Sequence, residues 1–384
     1  MFWGLAGLLG FFCGGLASRN IRGPTAICAI FLLLMLGSVS YSPGMLLTAV
    51  SAIGYGAFFA FALALRDRCS DREILTGVGA GLSLLVLSAP FLYFAHAEPS
   101  ESLLESSNEG RIHGLTSHAG SLGALAALLI IISISLLKSG DLGRWGKRLW
   151  KLIALGALGV VGLALAKTSI IALVISGLAM WWRRSAVLRM LSPLWLLLML
   201  VVGGAIEVVG LDSLVPVAVT QALSRGNGSN LSFETLTGRL RIWTYVIGRI
   251  EQSPIFGYGF NTGRYVIRKW GTFVVIHCHS MYLQCLLYLG IVGFVLFLIM
   301  IAYLVVGFAR RPLLWRDWIG IYLLIVGLAE QSAFSNLPST LTLCWFLVMA
   351  ALRPRVPSDG TAPVTYADRL AASDTIGGYR DARS

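Results

Sequence analysis

The chain has 384 residues, of which 57% are hydrophobic and 12% charged, and it carries a net charge of +12. A soluble domain is about half apolar and about a quarter charged, so a single water-exposed globule is excluded. The apolar residues form continuous blocks rather than short alternating strands, which excludes a β-barrel. The basic excess sits in short loops between these blocks, without the aromatic interleaving of a nucleic-acid surface.

In chain order the blocks cover roughly 2–18, 24–40, 44–65, 74–95, 119–137, 149–166, 169–182, 191–211, 281–309, 317–334 and 339–352. They predict an all-α polytopic membrane protein with about 11 (10–12) transmembrane helices. Block 169–182 is short and is expected to be a tilted or partial crossing paired with 149–166. The first block starts without a basic leader and reads as an anchor rather than a cleaved signal.

Charge bias orients the bundle. Arg19 and Arg22; Arg66, Arg68 and Arg72; Lys138, Arg144, Lys147 and Arg148; Arg183, Arg184 and Arg189; Arg310, Arg311 and Arg316; and Arg353 and Arg355 all fall in odd-numbered connections or after the last block. These are the cytoplasmic connections. The N-terminus then lies outside and the C-terminus inside. The expected organisation is a membrane domain over 1–355, a small external loop over 96–118, a large one over 212–280, and a disordered cytoplasmic tail over 356–384.

The small loop places Glu98, Glu101, Glu105 and Glu109 ahead of Arg111, and Pro-Ser-Glu at 99–101 resembles a helix start. The large loop carries seven Arg or Lys against three acids. Loops of this length escape the charge rule. Residues 221–232, rich in Gly, Asn and Ser, read as a connector. Residues 236–252 have apolar positions at Leu240, Trp243, Val246, Ile247 and Ile250, the spacing of an amphipathic helix, with Thr237 as a candidate N-cap. Pro254 ends it, and Gly257, Gly259 and Gly263 make a bend-rich stretch.

Arg239 and Arg241 stand near the start of that helix. A guanidinium fork matches a diphosphate; pairing with Glu234 or lipid headgroups is the competing reading. His277 and His279 precede a long apolar block and could exchange a proton near neutral pH. Two His alone do not make a metal site. Arg111, Gly114 and His118 form a smaller external cluster. Lys167, Glu207, Glu330 and Gln331 lie in or beside apolar blocks, where charge marks either a site or an ion pair. Of the six Cys, Cys278 has the setting closest to that of a reactive thiol. Walker, dinucleotide, HExxH and GxSxG patterns are absent.

Three stretches carry a family resemblance. The first is Gly238-Arg239-Leu240-Arg241-Ile242-Trp243 followed by Pro254, Gly257 and Gly259. The second is His279-Ser280 with Gly290 and Gly293 downstream. The third is Arg111-Ile112-His113-Gly114 with His118. Lys167-Thr168-Ser169 adds a short basic turn. Together they resemble the O-antigen ligase and O-antigen/exopolysaccharide polymerase family of bacterial inner-membrane proteins.

The resemblance implies a membrane-embedded, GT-C-like glycosyltransferase that moves a glycan from a polyprenyl diphosphate carrier to an acceptor sugar on the periplasmic side. Arg239 and Arg241, supported by Arg111 and Lys167, would bind the diphosphate, and His279 would orient or deprotonate the acceptor hydroxyl. Gly238, Trp243, Pro254, Gly257, Gly259, Gly290 and Gly293 would be structural. No cofactor or metal is required. The implied partners are the lipid-linked donor, a glycan or lipid A core acceptor, membrane lipids and a chain-length regulator. The motif spacings favour a polymerase over a ligase, and the alternative outside this chemistry is a transporter or flippase for lipid-linked sugar.

Overall fold

The computed structural model describes residues 23–95, 112–116, 118–139, 142–183, 234–267, 277–311 and 314–352, with only the backbone over 234–241. Blocks 2–18 and 191–211, the start of the small loop with Arg111, residues 212–233, Glu207 and the tail lie outside the described residues.

The described residues belong to one compact unit ending at Leu352. Its helices are α1 (Pro24–Gly37), α2 (Met45–Arg68), α3 (Asp71–Phe94), α4 (Ala119–Lys138), α5 (Arg144–Leu163), α6 (Lys167–Trp182), α7 (Glu234–Gln252), α8 (Met281–Arg310), α9 (Trp315–Val326) and α10 (Thr340–Ala351). Among them α2, α3, α4 and α8 are long and apolar enough to cross a membrane. A crossing needs about 20 residues at about 1.5 Å each. The central helix is α4, packed against α3, α5, α6 and α9. It is apolar around its circumference, which is why it can be surrounded.

Several sequence expectations change here. Helix α5 starts at Arg144, five residues before the apolar block. Its basic first turns flank Trp145, and Arg148 stacks 5.1 Å from that ring. Helix α6 packs mainly on α9 and α4 rather than on α5. Its buried residues are Ser169, Ala172 and Ser176, small side chains that admit a close neighbour; Trp318 Nε1 donates to Ser176 Oγ at 3.2 Å. Blocks 317–334 and 339–352 become the 12-residue helices α9 and α10, each about 18 Å long. Between them residues 327–339 run as irregular chain that is nonetheless buried at Ser332, Ala333 and Phe334. Irregular backbone is tolerated in such a bundle only where its polar groups are satisfied. Tyr55 Oη donates to the Ser335 carbonyl at 2.6 Å, Gln284 Nε2 to Phe334 O at 3.1 Å, and Thr342 Oγ1 to Ala333 O at 2.8 Å.

The basic connections converge at one end of the bundle. Arg183 donates to the Arg311 carbonyl, Arg311 to Leu352 O and Arg316 to Ala351 O. Arg66 pairs with Asp71. Arg183, Arg311 and Arg316 close the carbonyl ends of α8 and α10, as expected at helix C-termini. Helix α8 runs 30 residues from Met281 to Arg310, so His279 and the arginine cluster lie at opposite ends of it.

Candidate functional site

The end opposite the arginines collects the motif segments. Helix α7 forms where expected, but it starts at Glu234, so Thr237 lies inside it rather than capping it. Val246 is fully buried, Trp243 is half-buried and Ile247 is exposed. Pro254 follows the helix end, where a residue with no N–H and a fixed φ stops the ladder.

The Pro254–Gly259 stretch docks by its backbone into a break in α8. Gly290 has φ 60 and ψ −162, non-helical values that interrupt α8 and that only glycine adopts readily. The amide of Ile291 donates to Pro254 O at 2.8 Å and that of Val292 to Ile255 O at 3.2 Å. In return the amides of Tyr258 and Gly259 donate to the carbonyls of Leu287 and Tyr288 at 3.0 and 2.9 Å. The groups freed by the break are thus satisfied by the loop. A Cβ on Gly257 would lie 2.6 Å from the Tyr288 carbonyl carbon, and one on Gly259 2.7 Å from Ser42 Cβ. Pro254, Gly257, Gly259 and Gly290 therefore build a joint between the large loop and a bundle helix. Gly293 lies one turn beyond the break, where a Cβ would collide with the Leu289 side chain.

The loop then grips α1 and α2. Phe260 N donates to Ser38 Oγ at 3.0 Å, Thr48 Oγ1 to Phe260 O at 2.7 Å, and Asn261 Nδ2 to Ser51 Oγ at 2.7 Å. Behind it, Tyr288 Oη donates to Asn336 Oδ1 at 3.0 Å, tying α8 to the irregular 327–339 segment. Gln284 and Asn336 hold this segment against α8. Sequence reasoning assigned neither a role, because an isolated amide residue carries no periodic or spacing signal.

His279 sits at the start of α8 with φ 50. A non-glycine residue held there costs about 1–3 kcal/mol and points to function or constraint. Two backbone bonds flank it. Trp243 Nε1 donates to the Cys278 carbonyl at 2.9 Å, and the amide of Met281 donates to Gly327 O at 2.8 Å. The His277 and His279 rings meet edge to face, centroids 4.0 Å apart. Among the described residues no cluster of three or more His, Cys, Asp or Glu able to hold a metal forms. Cys278 is not a reactive thiol: it is fully buried, and burial alone pushes its thiol well above the ordinary range.

The remaining candidates separate. Arg239 and Arg241 lie in α7, four and two residues before Trp243; their side chains, like Arg111, fall outside what is described. By helical geometry position 239 shares the Trp243 side of α7 and position 241 does not. His118 is the N-cap of α4, its Nδ1 accepting from the Gly120 amide at 2.9 Å. Gly114 takes φ 57, and a Cβ there would lie 2.6 Å from Ala89 Cβ. Those two motif positions serve the backbone. Lys167 opens α6 and is exposed. Glu330 reaches the α4 N-terminus, its Oε1 3.2 Å from where a Gly120 Cβ would be.

Residues 161–298 match the family described as O-Antigen ligase, a stretch that spans the Lys167 turn, α7, the docking loop, the His279 turn and the break in α8. A Rickettsia felis protein named "Putative polysaccharide ligase" is 36% identical over 74 residues, which cover 16% of this chain and 18% of that protein. The alignment thus spans under a fifth of the relative's length. Residues 161–298, which hold most of the motif segments, are thus similar to the O-antigen ligase family.

Proposed function

We propose that this protein transfers a glycan from a polyprenyl diphosphate carrier to an acceptor sugar, at the bundle end opposite the arginine cluster, on the outer face of the bacterial inner membrane. The family match over residues 161–298 supports glycan transfer in O-antigen biosynthesis. The observation that carries the site is the bond from Trp243 to Cys278, which ties the helix bearing Arg239 to the turn bearing His279.

The chemistry is a displacement at the anomeric carbon. The acceptor hydroxyl oxygen forms the new C–O bond, its proton passes to His279, and the bond to the carrier diphosphate breaks with the electron pair leaving on phosphate oxygen. Negative charge grows on that leaving group, and a fixed guanidinium near the interface stabilises it best. Arg239 fills this role first, then Arg241, with Arg111 and Lys167 in support. The donor carries its own activation, so a nucleotide is not needed.

The acceptor defines two readings. Polymerisation of O-antigen or exopolysaccharide repeats is the reading that the His279/Gly290 spacing and the Lys167-Thr168-Ser169 turn favour. Transfer to lipid A core is favoured by the family description and by the relative's name. Deletion of the gene separates them: single repeats accumulating on lipid mean polymerase, and long unattached chains mean ligase. Reconstitution with a polyprenyl-diphosphate glycan tests the shared chemistry. Release of the carrier diphosphate supports it, and movement of intact donor across the bilayer without bond formation refutes it.

A further inference from the structure

We propose that Trp243 is a positioning residue that sets the conformation of His279 through the Cys278 carbonyl. This rests on the reading of His279 as the group that handles the acceptor hydroxyl.

The Cys278 carbonyl belongs to the peptide plane that enters His279. Rotation of that plane about the His279 N–Cα bond is the φ angle itself. A donor fixed on the carbonyl therefore fixes φ, and the observed value of 50 is one that a histidine does not hold without support. One residue beyond the peptide that leaves His279, the Ser280–Met281 peptide is held by Met281 N donating to Gly327 O at 2.8 Å. The turn that carries His279 is thus pinned at the peptide entering His279 by α7 and, one peptide further on than the one leaving it, by the segment after α9. The indole N–H is a donor only. It belongs to a ring half-buried on α7, 35 residues away in sequence. A ring needed only for packing would not require the N–H.

Three variants of the full-length protein, reconstituted in liposomes with a polyprenyl-diphosphate glycan, test this. Trp243→Phe keeps an aromatic ring and removes the donor. Tyr245→Phe removes another helix α7 bond, Tyr245 Oη to Val266 O at 3.5 Å, and is the control. His279→Ala removes the group being positioned. The expected result is a kcat about 10-fold or more below wild type for Trp243→Phe, with the donor KM within about twofold and a thermal midpoint within about 2 °C. Tyr245→Phe should match wild type. Wild-type kcat in Trp243→Phe, or a loss that merely follows the amount of folded protein, overturns the inference while leaving the His279 reading intact if His279→Ala is inactive. Full activity in His279→Ala overturns both.

Discussion

The amide of Ile291 donates a 2.8 Å hydrogen bond to the carbonyl of Pro254, closing a break in a membrane-length helix with a loop from 37 residues earlier. Two motifs that look independent in the sequence, Pro254–Gly259 and Gly290–Gly293, are the two halves of this one joint.

Gly290→Ala should therefore break it. The new methyl would collide with the Ile255 carbonyl oxygen and lie 2.6 Å from the Phe256 nitrogen, and the backbone conformation would itself be strained. A destabilisation of order 3–5 kcal/mol is expected, seen as a lower thermal midpoint in detergent and faster proteolysis of the large loop. Gly248→Ala, whose Cβ meets nothing within 4 Å, should instead stabilise by about 1 kcal/mol. Equal behaviour of the two variants would count against the joint.

Arg239→Ala and His279→Ala should each remove glycan transfer by at least about 100-fold while leaving membrane insertion unchanged. Arg239→Lys should recover little, since a single ammonium does not reproduce the guanidinium fork. Arg241→Ala should cost less than Arg239→Ala. The measurement is release of carrier diphosphate by reconstituted protein, and wild-type rates in Arg239→Ala would remove that residue from the chemistry.

Cys278 contributes its carbonyl rather than its sulfur. Cys278→Ala should retain transfer activity within about threefold, at a cost of about 1–2 kcal/mol for the methyl-sized void. In intact membranes near pH 8 the native thiol should resist maleimide, because burial keeps it protonated as well as shielded. Rapid labelling at Cys278 would show that the His279 turn opens.

His118 caps α4 through its Nδ1, so a side-chain acceptor at this position and not proton transfer by the ring should matter. His118→Asn should preserve stability and activity, and His118→Ala should lose about 1 kcal/mol with the transfer rate per folded molecule unchanged. A specific loss of kcat in His118→Asn would instead assign it chemistry.

Much of this architecture was legible beforehand for a single reason. In lipid an unbonded backbone group is costly, so an apolar run of membrane length becomes a helix unless a neighbouring segment satisfies its backbone. Blocks 44–65, 74–95 and 119–137 accordingly appear as α2, α3 and α4 within a few residues. The 3.6-residue rhythm of Leu240, Trp243, Val246 and Ile250, together with the stop at Pro254, was enough for α7. The motif order also pointed to the family that residues 161–298 match.

Tertiary structure decided the rest. The length of 317–334 suggested a crossing, but α9 ends at Val326 because partners on α2, α8 and α10 supply the hydrogen bonds that let residues 327–339 leave the helix. The apolar run 281–309 gives no sign of its break except a glycine, and glycines in such runs are common. His279 shows the same limit. Its residue type suggested proton transfer, yet the turn that holds its left-handed backbone is pinned by Trp243 and Gly327, 36 positions before it and 48 after. Local composition sets which segments become helices; contacts across such separations set where a helix breaks and how a side chain at its end is held.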